Sequence, residues 1–264
     1  MLKLKILYYM KFRQIIQLFE DLPDYENLEI ISLQFFGSIY QEGASSIALF
    51  LKKCQKLTSL KLKFNNNNIQ STGTSKLVEA INSFKNLQYL SIQIGGNQIG
   101  DEGANIITLS LSKWDNLRRL QLYLYDNQIS VKEVSNLGKS LRYLTQLRTL
   151  EISFLRNEIS DEGALAISQG ISSCTNLTKL LLYLECKKIT EKGYLILDQC
   201  ISGLANLLYL DCYLSQDSTL LQSREILNCK NIKQLKLCIQ WDSNDQQVKK
   251  HLQNQLKIKR LVKI

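Results

Sequence analysis

Histidine and proline are almost missing from this chain: one of each in 264 residues, His251 and Pro23. A single histidine leaves little material for acid–base relays or zinc centres, which use that side chain more than any other. The seven cysteines are odd in number and none stands in a Cys-x-x-Cys pair, so neither a disulfide framework nor a metal-ligand spacing is present. No window approaches the roughly 18 uncharged apolar residues of a membrane-spanning helix. The opening Met1-Leu2-Lys3-Leu4-Lys5-Ile6-Leu7 breaks its apolar run with charge and lacks a small-residue cleavage site, which makes a poor secretory signal. These absences predict a chain of the reducing cytoplasm, with no metal and no cofactor. With 45% hydrophobic and 22% charged residues, the composition is that of a soluble globular protein, not of a disordered or collagen-like one.

The formal charge is +9, which raises the question of a nucleic-acid partner. The excess sits at the two ends. Residues 1–13 hold four bases and no acid, residues 244–264 hold six bases and one acid, and the 23 bases and 23 acids between them balance. A nucleic-acid groove needs a basic stripe along its working face, so the sequence predicts no specific nucleic-acid partner.

What the chain has in abundance is leucine at a fixed period. Leu57, Leu87, Leu117, Leu147, Leu177 and Leu207 follow one another at intervals of 30 residues, with Leu28 before them and Ile232 after. Counted from each of these starts, positions plus three, plus five and plus seven are apolar or cysteine in all eight units; Leu90, Ile92 and Ile94 are one example. A spacing of two predicts a strand with one buried face. Plus ten is Asn67, Asn97, Asn127 and Asn157 in four successive units, plus twelve is isoleucine, and a glycine follows in most. The apolar period then changes. Ala104, Ile107, Leu111 and Trp114 fall on one face of a helix, as do Val134, Leu137, Leu141 and Leu144. Each unit therefore reads as strand, turn and helix, and because no unit can bury its apolar face alone, the units must stack.

The pattern NLxxLxLxLxxNxIxxxGxxxL, as from Asn86-Leu87 to Ile107, resembles a leucine-rich repeat of the ribonuclease-inhibitor-like class. The resemblance implies an α/β solenoid, or horseshoe, with parallel strands on the concave side and helices on the convex side. It also implies that the asparagine column bonds loop backbone between neighbouring units, a structural role for Asn67, Asn97, Asn127 and Asn157. The asparagine comes two residues later than usual in that class, which predicts a longer strand or a wider loop. Lys187 and Asp217 stand where the last units should carry it. One domain is expected over 1–264: a partial repeat over 1–26, eight repeats of about 30 residues over 27–242, and a basic cap over 243–264. Leu2, Leu4 and Ile6 fit an opening strand, Phe12 to Leu22 its helix, Val248, Leu252 and Leu256 a closing helical stripe, and Ile258 and Leu261 the start of a closing strand. A chain that starts and stops inside units reads as a fragment of a longer protein.

Candidate chemistry gives way to repeat structure. Asp101-Glu102 and Asp161-Glu162 look like paired carboxylates, yet they recur at one slot before a helix and lack a nucleophile or metal partner. They read as capping residues. Gly95 to Gly100 has the glycines of a phosphate loop without its Lys-Ser/Thr, and acids follow it. Cys54, Cys174 and Cys212 occupy core slots, and Asn176-Leu177-Thr178, a glycosylation triplet, repeats a column that holds asparagine in five other units.

What remains is the outward face of the strands, at plus two, four and six. It carries Tyr89, Arg119, Gln121, Tyr123, Lys179, Tyr183, Tyr209, Asp211 and Tyr213, with Tyr125 just beyond at plus eight, so that six of the 12 tyrosines fall in these columns or next to them. Tyrosine and arginine are the residues of binding hot spots. Lys3, Lys5, Lys61 and Lys63 occupy the same face nearer the N-terminus. The sequence thus predicts a non-enzymatic scaffold that binds another protein through its concave face. Two further possibilities are a regulatory or targeting arm of a larger enzyme, such as a kinase, and a GTPase-activating protein like the activator of Ran. The latter family ends in an acidic tail, whereas this chain ends Lys259-Arg260-Leu261-Val262-Lys263-Ile264.

Overall fold

A computed structural model describes residues 2–8, 25–37, 39–184, 188–214 and 231–239. Nine strands form one sheet in chain order, every neighbour parallel: β1 (Leu2–Tyr8), β2 (Leu28–Phe35), β3 (Ser59–Lys63), β4 (Tyr89–Gln93), β5 (Arg119–Tyr123), β6 (Thr149–Ser153), β7 (Lys179–Tyr183), β8 (Tyr209–Leu214) and β9 (Gln234–Ile239). Among the described residues six α-helices connect β2 through β8 on one side: α1 (Tyr40–Lys53), α2 (Gln70–Ile81), α3 (Gly100–Ser110), α4 (Val131–Ser140), α5 (Asp161–Ser172) and α6 (Glu191–Ser202). The opening helix expected over Phe12 to Leu22, the Lys187 and Asp217 slots, and the closing helix and strand of 243–264 lie outside the described residues.

The register explains the repeat. Leu60, Leu90, Leu120, Leu150, Leu180 and Leu210 pair directly with one another from strand to strand. The plus-five and plus-seven columns from Leu33 and Phe35 to Leu182 and Leu184 are buried with them. The helical stripes close the core from the other side, since Ala104, Ile107, Leu111 and Trp114 are all buried. Helices α4 and α5 approach until backbone meets backbone: a Cβ on Gly170 would lie 1.9 Å from the carbonyl oxygen of Gly138. Packed helices need about 8–10 Å between axes and paired strands about 4.8 Å. A stack with one of each per unit curls with its strands inside, and the chain is an α/β leucine-rich repeat solenoid.

The late asparagine has a visible cause. Pairing continues past the assigned strands, as Ile94 N donates to Tyr123 O at 3.0 Å and Gly96 N to Tyr125 O at 2.9 Å. A left-handed residue then ends the run: Asn66, Gly96, Asp126 and Arg156 have φ of 57°, 67°, 54° and 56°. The next residue is the asparagine. Asn97 Oδ1 accepts from Asn67 N (3.0 Å) and Ile69 N (3.2 Å), and its Nδ2 donates to Phe64 O (2.8 Å) and Gly95 O (3.0 Å). Asn127 and Asn157 accept from the two corresponding amides, Asn67 accepts from Ile39 N, and all three donate Nδ2 to the preceding unit, at Ile94 O, Leu124 O and Phe35 O, which ties each loop to the one before it. A second ladder runs along the opposite edge, where Asn116, Asn176, Asn206 and Asn231 donate to Lys85 O, Thr145 O, Thr175 O and Ala205 O.

Asp101 and Asp161 do not act as the side-chain caps that the sequence predicts, since neither helix start carries a side-chain cap bond. Asp101 and Asp161 sit in the first turns of α3 and α5, where an anion suits the helix dipole. Their side chains reach the next unit: Asp101 Oδ1 accepts from Ser130 N at 2.7 Å, and Asp161 takes both Thr190 N (2.8 Å) and Thr190 Oγ1 (2.7 Å). Among the described residues no helix is long and apolar enough to cross a membrane.

Candidate binding face on the sheet

Because strand side chains alternate, burying one face of each strand commits the other to the concave side. There the predicted residues form two contiguous groups and one outlier. In the first, Tyr89 OH donates to Gln121 Oε1 at 2.7 Å. Gln121 Nε2 in turn donates to Glu151 Oε2, and Tyr123 OH donates to Glu151 Oε1. The Arg119 guanidinium lies 5.4 Å from the Tyr89 ring centroid. The Tyr123 and Tyr183 rings, two strands apart, meet across β6 with centroids 6.1 Å apart and planes at 32°.

The second group spans β7 to β9. Lys179 Nζ lies 4.4 Å from the Tyr209 centroid, and Asp211 Oδ2 accepts from Lys236 Nζ at 3.3 Å and from Tyr209 OH at 3.5 Å. Tyr213 pairs in register with Tyr183. Tyr125 stands apart, its ring packed flat against Gly95; a Cβ added to that glycine would fall 2.2 Å from the ring. Lys61 and Lys63 lie half-exposed on β3.

Burial decides the electrostatics. Glu151 is 9% exposed and Asp211 3%; Gln121 and Tyr123 bond the first, Tyr209 and Lys236 the second. Burial also pushes the Tyr89, Tyr125 and Tyr209 hydroxyls above the usual tyrosine range. Three core cysteines are held in the thiol form by the same cause: burial raises the Cys54 and Cys174 thiols to about 12, and raises Cys212 as well. Among the described residues no cluster of His, Cys, Asp and Glu is arranged to hold a metal. The arrangement offers what binding needs: aromatic surface held rigidly by its own hydrogen bonds, with cations seated on the rings.

Glu151 is the residue that sequence reasoning missed. It organises Gln121 and Tyr123 and adds to the field on Tyr89 and Tyr209. Its signal was an acid in the plus-four column, which Asp211 shares two strands on, in register with Gln121 on one side and Leu181 on the other.

Neither a protein-family model nor a curated protein matches the chain. Among solved structures it is similar to the tropomodulin C-terminal domain of Caenorhabditis elegans, at 13% identity and a TM-score of 0.48, over 61% of this chain and 92% of that one. It is also similar to internalin C2 from Listeria monocytogenes, at 16% identity and a TM-score of 0.42, over 77% of each chain. Both likenesses are distant, and the fold assignment rests on the strand register and burial of this chain.

Proposed function

We propose that the chain is a non-enzymatic interaction module of the ribonuclease-inhibitor-like class, which holds another protein against its concave face in the reducing cytoplasm. The helix in each of the six units described from strand through helix favours that class. The observation that carries the function is the preassembled aromatic cluster over β4 to β8, in which Tyr89, Tyr123, Tyr183 and Tyr209 are half-buried against one another's neighbours and still present ring surface. Ordering such side chains before a partner arrives lowers the entropic cost of docking. Tyrosines act as anchors, while Arg119, Lys179 and Asp211 set electrostatic register. The mechanism is binding alone.

Replacing Tyr123, Tyr183 and Tyr213 together by alanine is expected to abolish recovery of the proteins that the intact chain retains in affinity purification read by mass spectrometry. The circular dichroism spectrum should not change, since all three lie outside the core columns. Undiminished recovery would move the binding surface to the helices or to the basic ends.

A further inference from the structure

Charge on the concave face follows a period of two repeats. In the three outward columns, Lys61 and Lys63 lie on β3, Arg119 on β5, Lys179 on β7 and Lys236 on β9. The first strand continues the series with Lys3 and Lys5. Every cation in these columns is therefore on an odd-numbered strand. The even-numbered strands carry uncharged residues and the two acids, Glu151 and Asp211. Both acids are buried, one under neutral donors and the other paired with Lys236. Among the described residues, then, solvent at these columns meets cations.

Avoidance of like charges directly opposite one another accounts for the skipped strands. It does not account for the sign, because acids could alternate equally well. Helix dipoles do not supply the sign either, since these residues lie on strands. Three of these cations are also seated: Arg119 leans over Tyr89, Lys179 over Tyr209, and Lys236 on Asp211, each using the even strand beside it.

We infer that the concave face binds an acidic polypeptide segment laid across the strands, with carboxylates in step with every second strand. This rests on the concave-face reading above and names the chemistry of its partner. Strands about 4.8 Å apart make the backbones that carry these cations recur about every 9.6 Å. A polyproline II segment advances about 9.3 Å in three residues and returns every third side chain to the same side. A nucleic-acid strand presents a charge about every 3.4 Å along the duplex axis, which would set surplus phosphates over the strands that hold Glu151 and Asp211.

The test is fluorescence anisotropy with a labelled peptide of Glu-Pro-Pro repeats, beside a peptide of the same composition with its glutamates in one block and an oligothymidylate of equal charge. The spaced peptide is expected to bind the full chain more tightly than either. Arg119→Glu with Lys179→Glu should weaken it about tenfold or more. Lys132→Glu with Lys139→Glu, exposed on α4 and equal in net charge change, should weaken it less than about twofold. Equal loss in the two pairs would reduce the effect to net charge, and tighter binding of the block peptide or of the oligothymidylate would overturn the spacing; either result contradicts the inference. If the spaced peptide fails while tyrosine-dependent recovery persists, the partner chemistry is wrong and the concave-face reading stands. If both fail, both are wrong.

Discussion

Leu120→Ala is expected to lower the free energy of unfolding by about 2–5 kcal/mol. Leu120 is 0% exposed and pairs in register with Leu90 on one side and Leu150 on the other. The two neighbouring units hold their own columns in place through the same ladder, so the site cannot collapse to fill the vacated volume, and the cavity cost adds to the lost transfer energy. Urea unfolding gives the measurement. Leu109→Ala on α3 is the internal comparison, because that leucine is 66% exposed and its truncation should change stability by no more than about 0.5 kcal/mol. A Leu120 variant as mild as the Leu109 one would mean that the plus-three column is not core.

Asn127→Ala removes polar partners instead of volume and is expected to cost about 3 kcal/mol. Asn127 is buried, its Oδ1 accepts from Asn97 N (2.9 Å) and Ile99 N (3.4 Å), and its Nδ2 donates to Ile94 O (3.0 Å) and Leu124 O (3.1 Å). Alanine leaves two amides and two carbonyls without these bonds in a loop that water reaches poorly, and the penalty is that of the unsatisfied groups more than of the lost bonds themselves. The distinguishing measurement is hydrogen exchange. The Asn97 and Ile99 amides should exchange faster in Asn127→Ala, ahead of any change in the strand amides of β5. Unchanged protection at those two positions would show that the asparagine ladder does not hold the loops.

The strand and helix columns were legible because burying one face writes period two and then period 3.6 into the apolar residues, and a fixed unit length repeats that writing in register. Leu60 through Leu210 needed no coordinates. Other features depend on rotamers and spacing between units, which column position does not encode. Gln121 could have turned toward Ser91 as readily as toward Glu151, and only its packing selects the bond to Glu151. Asp161 read as a cap for its own helix, while the distance between α5 and α6 lets it serve Thr190 instead. The tyrosine face was visible residue by residue. The burial of Glu151 and Asp211, which leaves cations as the exposed charge of that face, was not, because it depends on how neighbouring side chains fold over them.

The central claim, that a partner protein docks on the concave face, is tested most directly by site-specific photo-crosslinking. A benzoylphenylalanine placed at Gln121 or Lys179 reports from the sheet, and one placed at Leu109 or Leu165 reports from exposed positions on the helices. Adducts to the partner from Gln121 and Lys179, and none from Leu109 or Leu165, are the predicted result; adducts from the helical positions alone would contradict it.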